Sequence, residues 1–228
     1  MPIEILCHRP SKTKNSLSEA LANVQVNKNI VVNWTGSPIS QLDHFADVPL
    51  NFESRSDKLS QAVRLATSGI PTVTVSLRNE GPGWYPRRSS HQQGFDFTNR
   101  KLARGQLPAD FYVKKENLID EFRLHVFRTS RDNMRVMRVA RKVPSRPDHH
   151  PWVRSHRLGW KLSYVGGATE DAKRIARDSL RALHLDFGAV DLAMRADATP
   201  IVLEVNTCPG LEGGTLEMYV ENIIERAQ

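Results

Sequence analysis

Three oxygen-bearing side chains near the C-terminus have the types and spacing of a hard-cation site. Asp191 lies in the run Ala189-Val190-Asp191-Leu192-Ala193, and Glu204 and Asn206 alternate along Leu203-Glu204-Val205-Asn206-Thr207. Residues two apart on a strand point to the same face, so Glu204 and Asn206 pair as oxygen donors. The connection from Arg195 to Pro200 is short enough for a hairpin-like return that sets Asp191 beside them. Two carboxylates and an amide oxygen suit Mg²⁺ or Mn²⁺, ions that keep waters and also bind substrate phosphates. The same three residues also fit a solvated polar sheet face, and taken alone they leave both readings open. Their context favours a site: Val202, Leu203 and Val205 flank them, and the strand runs into Cys208-Pro209-Gly210-Leu211-Glu212-Gly213-Gly214, where glycines permit close backbone approach.

Other chemistry-bearing residues are weaker signals. Lys and Arg number 32 against 25 Asp and Glu, a formal net charge of +7, which favours anionic partners, whether nucleotides, phosphates or nucleic acid. Between Arg78 and Gly105 the chain reads as a long basic loop containing Arg87, Arg88 and His91-Gln92-Gln93-Gly94. A loop of that length in a compact domain is usually a functional lid or disordered. No G-x-x-x-x-G-K-[ST] occurs, which excludes a P-loop nucleotide site. Lys58 reads as a solvated cation at a helix start, with a phosphate contact as its alternative. His149, His150 and His156 lack a Cys or carboxylate to complete a tetrahedral set. Cys208 reads as a small buried residue. Trp34, Trp84, Trp152 and Trp160 read as core or pocket-wall packing rather than base-stacking platforms.

The elements that must position these residues follow from periodicity. Ser16-Leu17-Ser18-Glu19 has the form of a capping box, and with Leu17, Ala20, Leu21 and Val24 it predicts a helix over 17–25. Asn29 to Trp34 predicts a buried strand. Ser56 predicts the cap of a helix with apolar positions Leu59, Ala62, Val63 and Ala66, closed by Gly69 and Pro71, and Thr72 to Leu77 predicts a strand. Further strands are expected at Phe111–Lys115, Glu121–Phe127, Met134–Val143, Trp160–Val165, Ala189–Met194 and Ile201–Val205. Thr169 caps the clearest helix, with Ala172, Ile175, Ala176, Leu180 and Leu183 on one face, and a last helix begins near Thr215. The order is an α/β portion followed by an antiparallel-rich α+β portion.

Composition bounds the class. At 228 residues, 39% apolar and 25% charged, with 13 Gly and 13 Pro, the chain excludes collagen, low complexity and wholesale disorder. Its apolar runs are far shorter than the ~20 residues a membrane span needs. The first residues show no secretory pattern, and the two cysteines, Cys7 and Cys208, lie far apart in sequence, so a reducing, cytoplasmic setting without membrane association is expected.

Asp191 followed thirteen positions later by Leu203-Glu204-Val205-Asn206-Thr207-Cys208-Pro209-Gly210-Leu211 resembles the metal-binding signature of the ATP-grasp superfamily. The resemblance covers roughly 110–228 well and 55–110 loosely. Ribosomal-protein glutamate ligases and the compact ATP-grasp proteins frequent in tailed-phage genomes are most similar, with D-alanine ligase and glutathione synthetase more distant. It implies an ATP-grasp fold with a shortened N-terminal α/β domain over 1–55, a central subdomain with a phosphate lid over 56–114 and a C-terminal subdomain with the metal site over 115–228. It further implies that Asp191, Glu204 and Asn206 hold two Mg²⁺ (or Mn²⁺) ions bridging the ATP phosphates. The segment Phe111-Tyr112-Val113-Lys114-Lys115 resembles the hinge whose backbone reads adenine, and Glu121 the acid that holds the ribose. Arg123 and Arg154 resemble the arginines at the phosphates and the transferred phosphoryl, which gives them the catalytic roles, and His156 stands where the family has Asn. Arg88, with Arg87 as alternative, stands where a phosphate-binding Lys is usual, and His91–Gly94 matches the lid.

The implied activity is an ATP-dependent carboxylate–amine ligase working through an acylphosphate. Its partners would be ATP, a carboxylate donor and an amine acceptor, whether amino acid, peptide or protein. A basic nucleic-acid-binding module and a non-catalytic ATP-grasp nucleotide binder are the alternatives.

Overall fold

The computed structural model describes residues 3–7, 11–35, 46–52, 57–89, 96, 100–130, 133–164 and 166–228. Three sheets follow one another along the chain. Parallel strands β1 (Ile3–Leu6), β2 (Ile30–Asn33) and β3 (Val48–Leu50) form the first, with α1 (Lys12–Leu21) crossing from β1 to β2. After α2 (Lys58–Thr67), strands β4 (Val75–Ser76), β5 (Trp84–Arg87) and β6 (Phe111–Lys114) make a small antiparallel sheet with β6 in the middle, and α3 (Arg100–Ala103) lies between β5 and β6 in sequence. The third sheet contains β7 (Leu118–Arg128), β8 (Met134–Pro144), β9 (Trp160–Ser163), β10 (Phe187–Arg195) and β11 (Pro200–Asn206) in the order β11-β10-β7-β8-β9, all antiparallel. Helices α4 (Glu170–Ala182) and α5 (Gly214–Ala227) complete it.

Two cores explain the arrangement. On one side of the large sheet, Ala172, Ile175, Ala176 and Leu180 of α4 pack on Phe122, Leu124, Val126, Val190, Leu192 and Val205. The α4 start matches the capping expectation, since the Thr169 hydroxyl accepts from the Ala172 amide and Glu170 and Asp171 occupy the first turn. The second core joins the N-terminal layer to α5 through Leu17, Ile30, Val32, Trp34, Leu50, Phe127, Phe187, Tyr219 and Ile223. Trp34 stacks on Phe187 at 5.1 Å and meets the edge of Tyr219 at 5.8 Å.

Four local expectations change. The first helix starts a turn early: Ser11 rather than Ser16 caps it, accepting from the Lys14 amide, because this register buries Leu17 and Leu21 together. Asp57 caps α2 through the Leu59 and Ser60 amides, while Ser56 lies outside the described residues. The buried face of α2 is Gln61, Ala62 and Leu65, and Val63 is 47% exposed. The 78–105 stretch holds β5 and α3 rather than loop alone.

Asn51 ties the first layer to the third sheet. It sits at φ 56°, in the left-handed region. Its side-chain oxygen accepts from the Asp186 and Phe187 amides, its side-chain amide donates to the Phe187 carbonyl, and its backbone amide donates to Asp186 Oδ2. Asp186 in turn pairs with Arg128 at 3.2 Å. Asn51→Ala should therefore cost about 3 kcal/mol, since it orphans buried donors and acceptors at a left-handed position that Asn tolerates better than Ala. Urea unfolding of the two proteins measures it.

Candidate active site

One face of the large sheet collects charge. Register places Asp191 opposite Glu204 on β11 and opposite Arg123 on β7, and Arg123 opposite Ala140 on β8. With a period of two, Glu121, Arg123 and His125 of β7 share this face with Asp191, Glu204 and Asn206, and Lys142 reaches it from β8. The hairpin return to Asp191 is as expected. A bulge between Asp191 and Leu192 leaves Leu203 unpaired, so Glu204 keeps its place opposite Asp191.

The contacts on this face are dense. Arg123 donates to Asp191 through Nε at 2.7 Å and Nη2 at 2.8 Å, a bidentate pair. Lys142 bridges Glu121 and Asp191, the latter at 3.4 Å. Lys58 meets Glu204 at 2.5 Å, and the Asn206 amide lies 3.5 Å from Glu204 Oε1. Asp191 is 3% exposed. Burial alone would raise its pKa, yet Lys142 and Arg123 hold the carboxyl well below the ordinary range. Burial outweighs Lys142 at Glu121 and pushes that carboxyl up.

Lys58 is not the solvated cation expected from sequence. Gln61 donates to the Val205 carbonyl at 3.0 Å and accepts from the Val205 amide at 3.1 Å, fixing α2 across β11. One turn earlier, Lys58 must then stand over Glu204. The exit of α2 is pinned to the same strand, with the Val202 amide donating to the Pro71 carbonyl at 2.8 Å.

The remaining expected residues divide. Arg88 follows β5. Its backbone amide donates to Asp96, and its guanidinium Nε is buried without a hydrogen-bond partner among the described residues. Arg87 instead holds Asp96 at 3.2 Å. Arg154 lies over the Trp160 ring at 5.0 Å, donates to the Leu118 carbonyl and acts on Glu121 electrostatically. His156 is exposed at the start of the 3-10 turn His156–Leu158, whereas the neighbouring Ser155 hydroxyl is buried without a partner among the described residues. His91–Gly94 lies outside the described residues.

The stretch expected to read adenine lies mostly within a strand. β6 is the middle strand of its sheet, so Tyr112 and Val113 pair with both β4 and β5, the Lys114 amide donates to the Thr74 carbonyl and the Lys115 amide to the Gly83 carbonyl. Backbone groups spent on a ladder cannot also read a base. The first stretch outside the strand is Lys115–Asn117, between β6 and β7, where the Lys115 amide is spent on Gly83 and the expected contact at Lys115 is left to its carbonyl. Cys208 is likewise exposed rather than buried.

Sequence reasoning missed Lys142 and the pair His125–Tyr219. Alternation along β8 puts Lys142 in phase with Ala140, but the pairing of β8 with β7 is what brings it to Asp191. His125 is 1% exposed, with Nδ1 3.3 Å from the Tyr219 hydroxyl. Burial, then the Arg123 cation, push its pKa down from 6.5 to about 4. Between those values an unfolded chain binds the proton and the folded one does not, so stability rises with pH across that window and falls on acidification. Compared with His125→Gln, the native chain should lose about 3 kcal/mol more on going from pH 7 to pH 4. Parallel denaturant titrations read this as the difference in slope.

The donor set fits a hard divalent cation. Asp191 stands opposite Glu204, and the Asn206 side-chain amide, whose nitrogen points to Glu204 Oε1, presents its oxygen to the same face once flipped, giving two carboxylates and an amide oxygen; among the described residues no group of three or more His, Cys, Asp or Glu could hold a metal. No helix among the described residues is long and apolar enough to cross a membrane.

No protein-family model matches the chain, and no curated protein matches it by sequence. Solved structures do. The chain is similar to the ATP-grasp ligase PsnB in complex with its minimal precursor, with TM-score 0.65 and 11% identity over 99% of each chain. It is similar to D-alanine–D-alanine ligase from Bacillus anthracis complexed with ATP, with TM-score 0.67 and 12% identity over 100% of this chain and 96% of that one. It is similar to N5-carboxyaminoimidazole synthetase from Staphylococcus aureus, with TM-score 0.61 and 11% identity over 98% of this chain and 77% of that one. PsnB has also been solved with Mg and ADP. The chain has the ATP-grasp fold, mixed α/β and α+β, with a short N-terminal layer.

Proposed function

We propose that this chain is an ATP-dependent ligase that joins a carboxylate to an amine through an acylphosphate, its N-terminal, central and C-terminal parts divided at about 55 and 114. The observation that carries the reading is the single sheet face where Asp191, Glu204 and Asn206 stand beside Arg123 and Lys142, on an ATP-grasp fold. Phosphoryl transfer asks a protein chiefly for positioned charge, and this face supplies both signs.

Asp191, Glu204 and Asn206 would hold Mg²⁺, two ions in our reading; bound there, the metal would neutralise phosphate charge. Arg123, Arg154 and Arg88 are assigned to the phosphates; Arg88 is chosen over Arg87 because its buried Nε has no hydrogen-bond partner among the described residues, whereas Arg87 is held by Asp96. Glu121 is assigned to the ribose, which requires Lys142 to release it. The adenine is assigned to the end of the Phe111–Lys115 stretch, at Lys114 and Lys115, and the connection that follows it. In the reaction a substrate carboxylate oxygen attacks the γ-phosphorus, the bond to the β-γ bridging oxygen breaks and ADP leaves. The amine then attacks the acyl carbon, and phosphate leaves as the nitrogen loses a proton. Arg123 and Arg154, touching the transferred phosphoryl, would be the catalytic residues. An amino acid, a peptide or a protein could supply the amine.

The test is a hydroxylamine trap. With Mg-ATP and a panel of amino acids and acidic peptides as carboxylate donors, the protein should yield ADP and hydroxamate in equal amounts. ADP with every donor but no hydroxamate, or no ADP at all, would refute the ligase reading.

A further inference from the structure

A groove among the described residues lies away from the charged face. It measures about 360 Å³ and runs along Asn133–Val139 of β8, with Lys173 and Arg177 of α4 on its other side. Three observations bear on what fills it. First, β9 pairs with β8 only from Arg141 to Pro144, so Met134–Ala140 has no strand on its outer side among the described residues, and no other backbone hydrogen bond reaches it. Such an edge is a ready template for another extended chain.

Second, the rim is basic and only partly neutralised. Arg174 and Arg181, on the far flank of α4, are paired with Asp171 and Asp178. By contrast Arg135 and Arg177 have no carboxylate within ion-pair distance among the described residues, and Lys173 shares only the exposed Glu170 at 2.7 Å. Arg138 also lines the groove, but its guanidinium is committed to Thr215 at 2.8 Å and to the Tyr164 ring at 3.7 Å. Third, Val136 and Val139 pack only partly against the core beneath, leaving apolar surface beside the cations.

We propose that this groove binds an extended acidic segment of a partner polypeptide, added as an extra strand along Met134–Met137 with its carboxylates on Arg135, Lys173 and Arg177. Strand addition takes affinity from main-chain hydrogen bonds and selectivity from alternate side chains. Here Val136 lies on the helix side of the sheet with Lys173 and Arg177, and Arg135 lies on the opposite side with Phe127, so the alternate positions call for acids on both faces and a small apolar group beside Val136. A second copy of this chain fits poorly, because it would set Arg135 and Arg177 against their own kind. A nucleic acid would satisfy the cations and leave the row of backbone groups unmatched. The site is separate from the proposed ligase chemistry and does not depend on it.

The test is anisotropy titration of the full chain with a fluorescein-labelled octapeptide that carries Glu on both faces, Glu-Glu-Val-Glu-Glu-Val-Glu-Glu, at low salt. Binding should weaken steeply with salt, and Arg135→Glu and Arg177→Glu should each weaken it at least about tenfold with unchanged melting. A peptide N-methylated on alternate amides should lose binding, and the Met134–Met137 amides should gain hydrogen-exchange protection only with the unmethylated peptide. No binding, equal binding of the methylated or of a Lys-Val peptide, or indifference to both variants would overturn the proposal. So would concentration-dependent protection of those amides without peptide, which would assign the edge to a second copy.

Discussion

Glu204→Gln should form ADP slower by about a thousandfold or more while folding as the native chain does. Gln keeps the shape and one oxygen donor but removes the charge that a divalent cation needs, and losing one pre-organised electrostatic stabiliser costs about 10²–10³ in turnover even without a metal involved. Stability should barely move. Glu204 is only half-buried, its side chain 27% exposed, and its one ion pair among the described residues is to Lys58, itself 20% exposed. An ion pair so placed contributes at most about 1 kcal/mol. A coupled assay of ADP release beside a melting curve separates the two effects. Native turnover in the variant would remove Glu204 from the metal assignment.

The second large effect is on stability. Asp191→Leu should destabilise by about 3–5 kcal/mol, because it leaves Arg123 and Lys142 facing a buried site without their shared counter-charge. The danger lies in breaking the set, not in lacking it. The double variant Asp191→Leu/Arg123→Met should therefore recover much of the loss, and urea unfolding of the native chain, the two single variants and the double measures the cycle. The carboxyl is depressed below its ordinary value of 3.8, so its contribution is present above that pH and is lost as pH falls below it toward the folded pKa. The excess instability of the Leu variant should shrink in strong acid for that reason.

Much of this was legible before any coordinates. The alternation in β7, β8, β10 and β11 marked those strands, and the two-residue spacing of Glu204 and Asn206 with a short return from Asp191 foretold the register that brings the three together. The rest depended on partners remote in sequence. Nothing local shows that Gln61 binds Val205 and so drives Lys58 onto Glu204, or that β8 lies against β7 in the phase that brings Lys142 to Asp191. Local pattern misled where two signals competed. Ser11 and Ser16 both offer caps, and tertiary burial of Leu17 and Leu21 chose the first. Pro86 and the basic residues after it disguised β5, and without β5 the Phe111–Lys114 strand did not read as the middle of a sheet with its backbone already paired.

The most direct test of the central claim, a metal-dependent ATP site on the Asp191–Glu204–Asn206 face, is the melting temperature of the full chain with Mg-ATP, with ATP in chelator, and with Mg-GTP. A ligand that binds only the folded state stabilises it by about 2.7 kcal/mol at a hundred times its Kd, which for a chain of this size is a rise of roughly 5–10 °C. We expect that rise with Mg-ATP, little or none without metal, and its loss in Glu204→Gln. An unchanged melting temperature at saturating Mg-ATP, or an equal rise in chelator, would contradict the account.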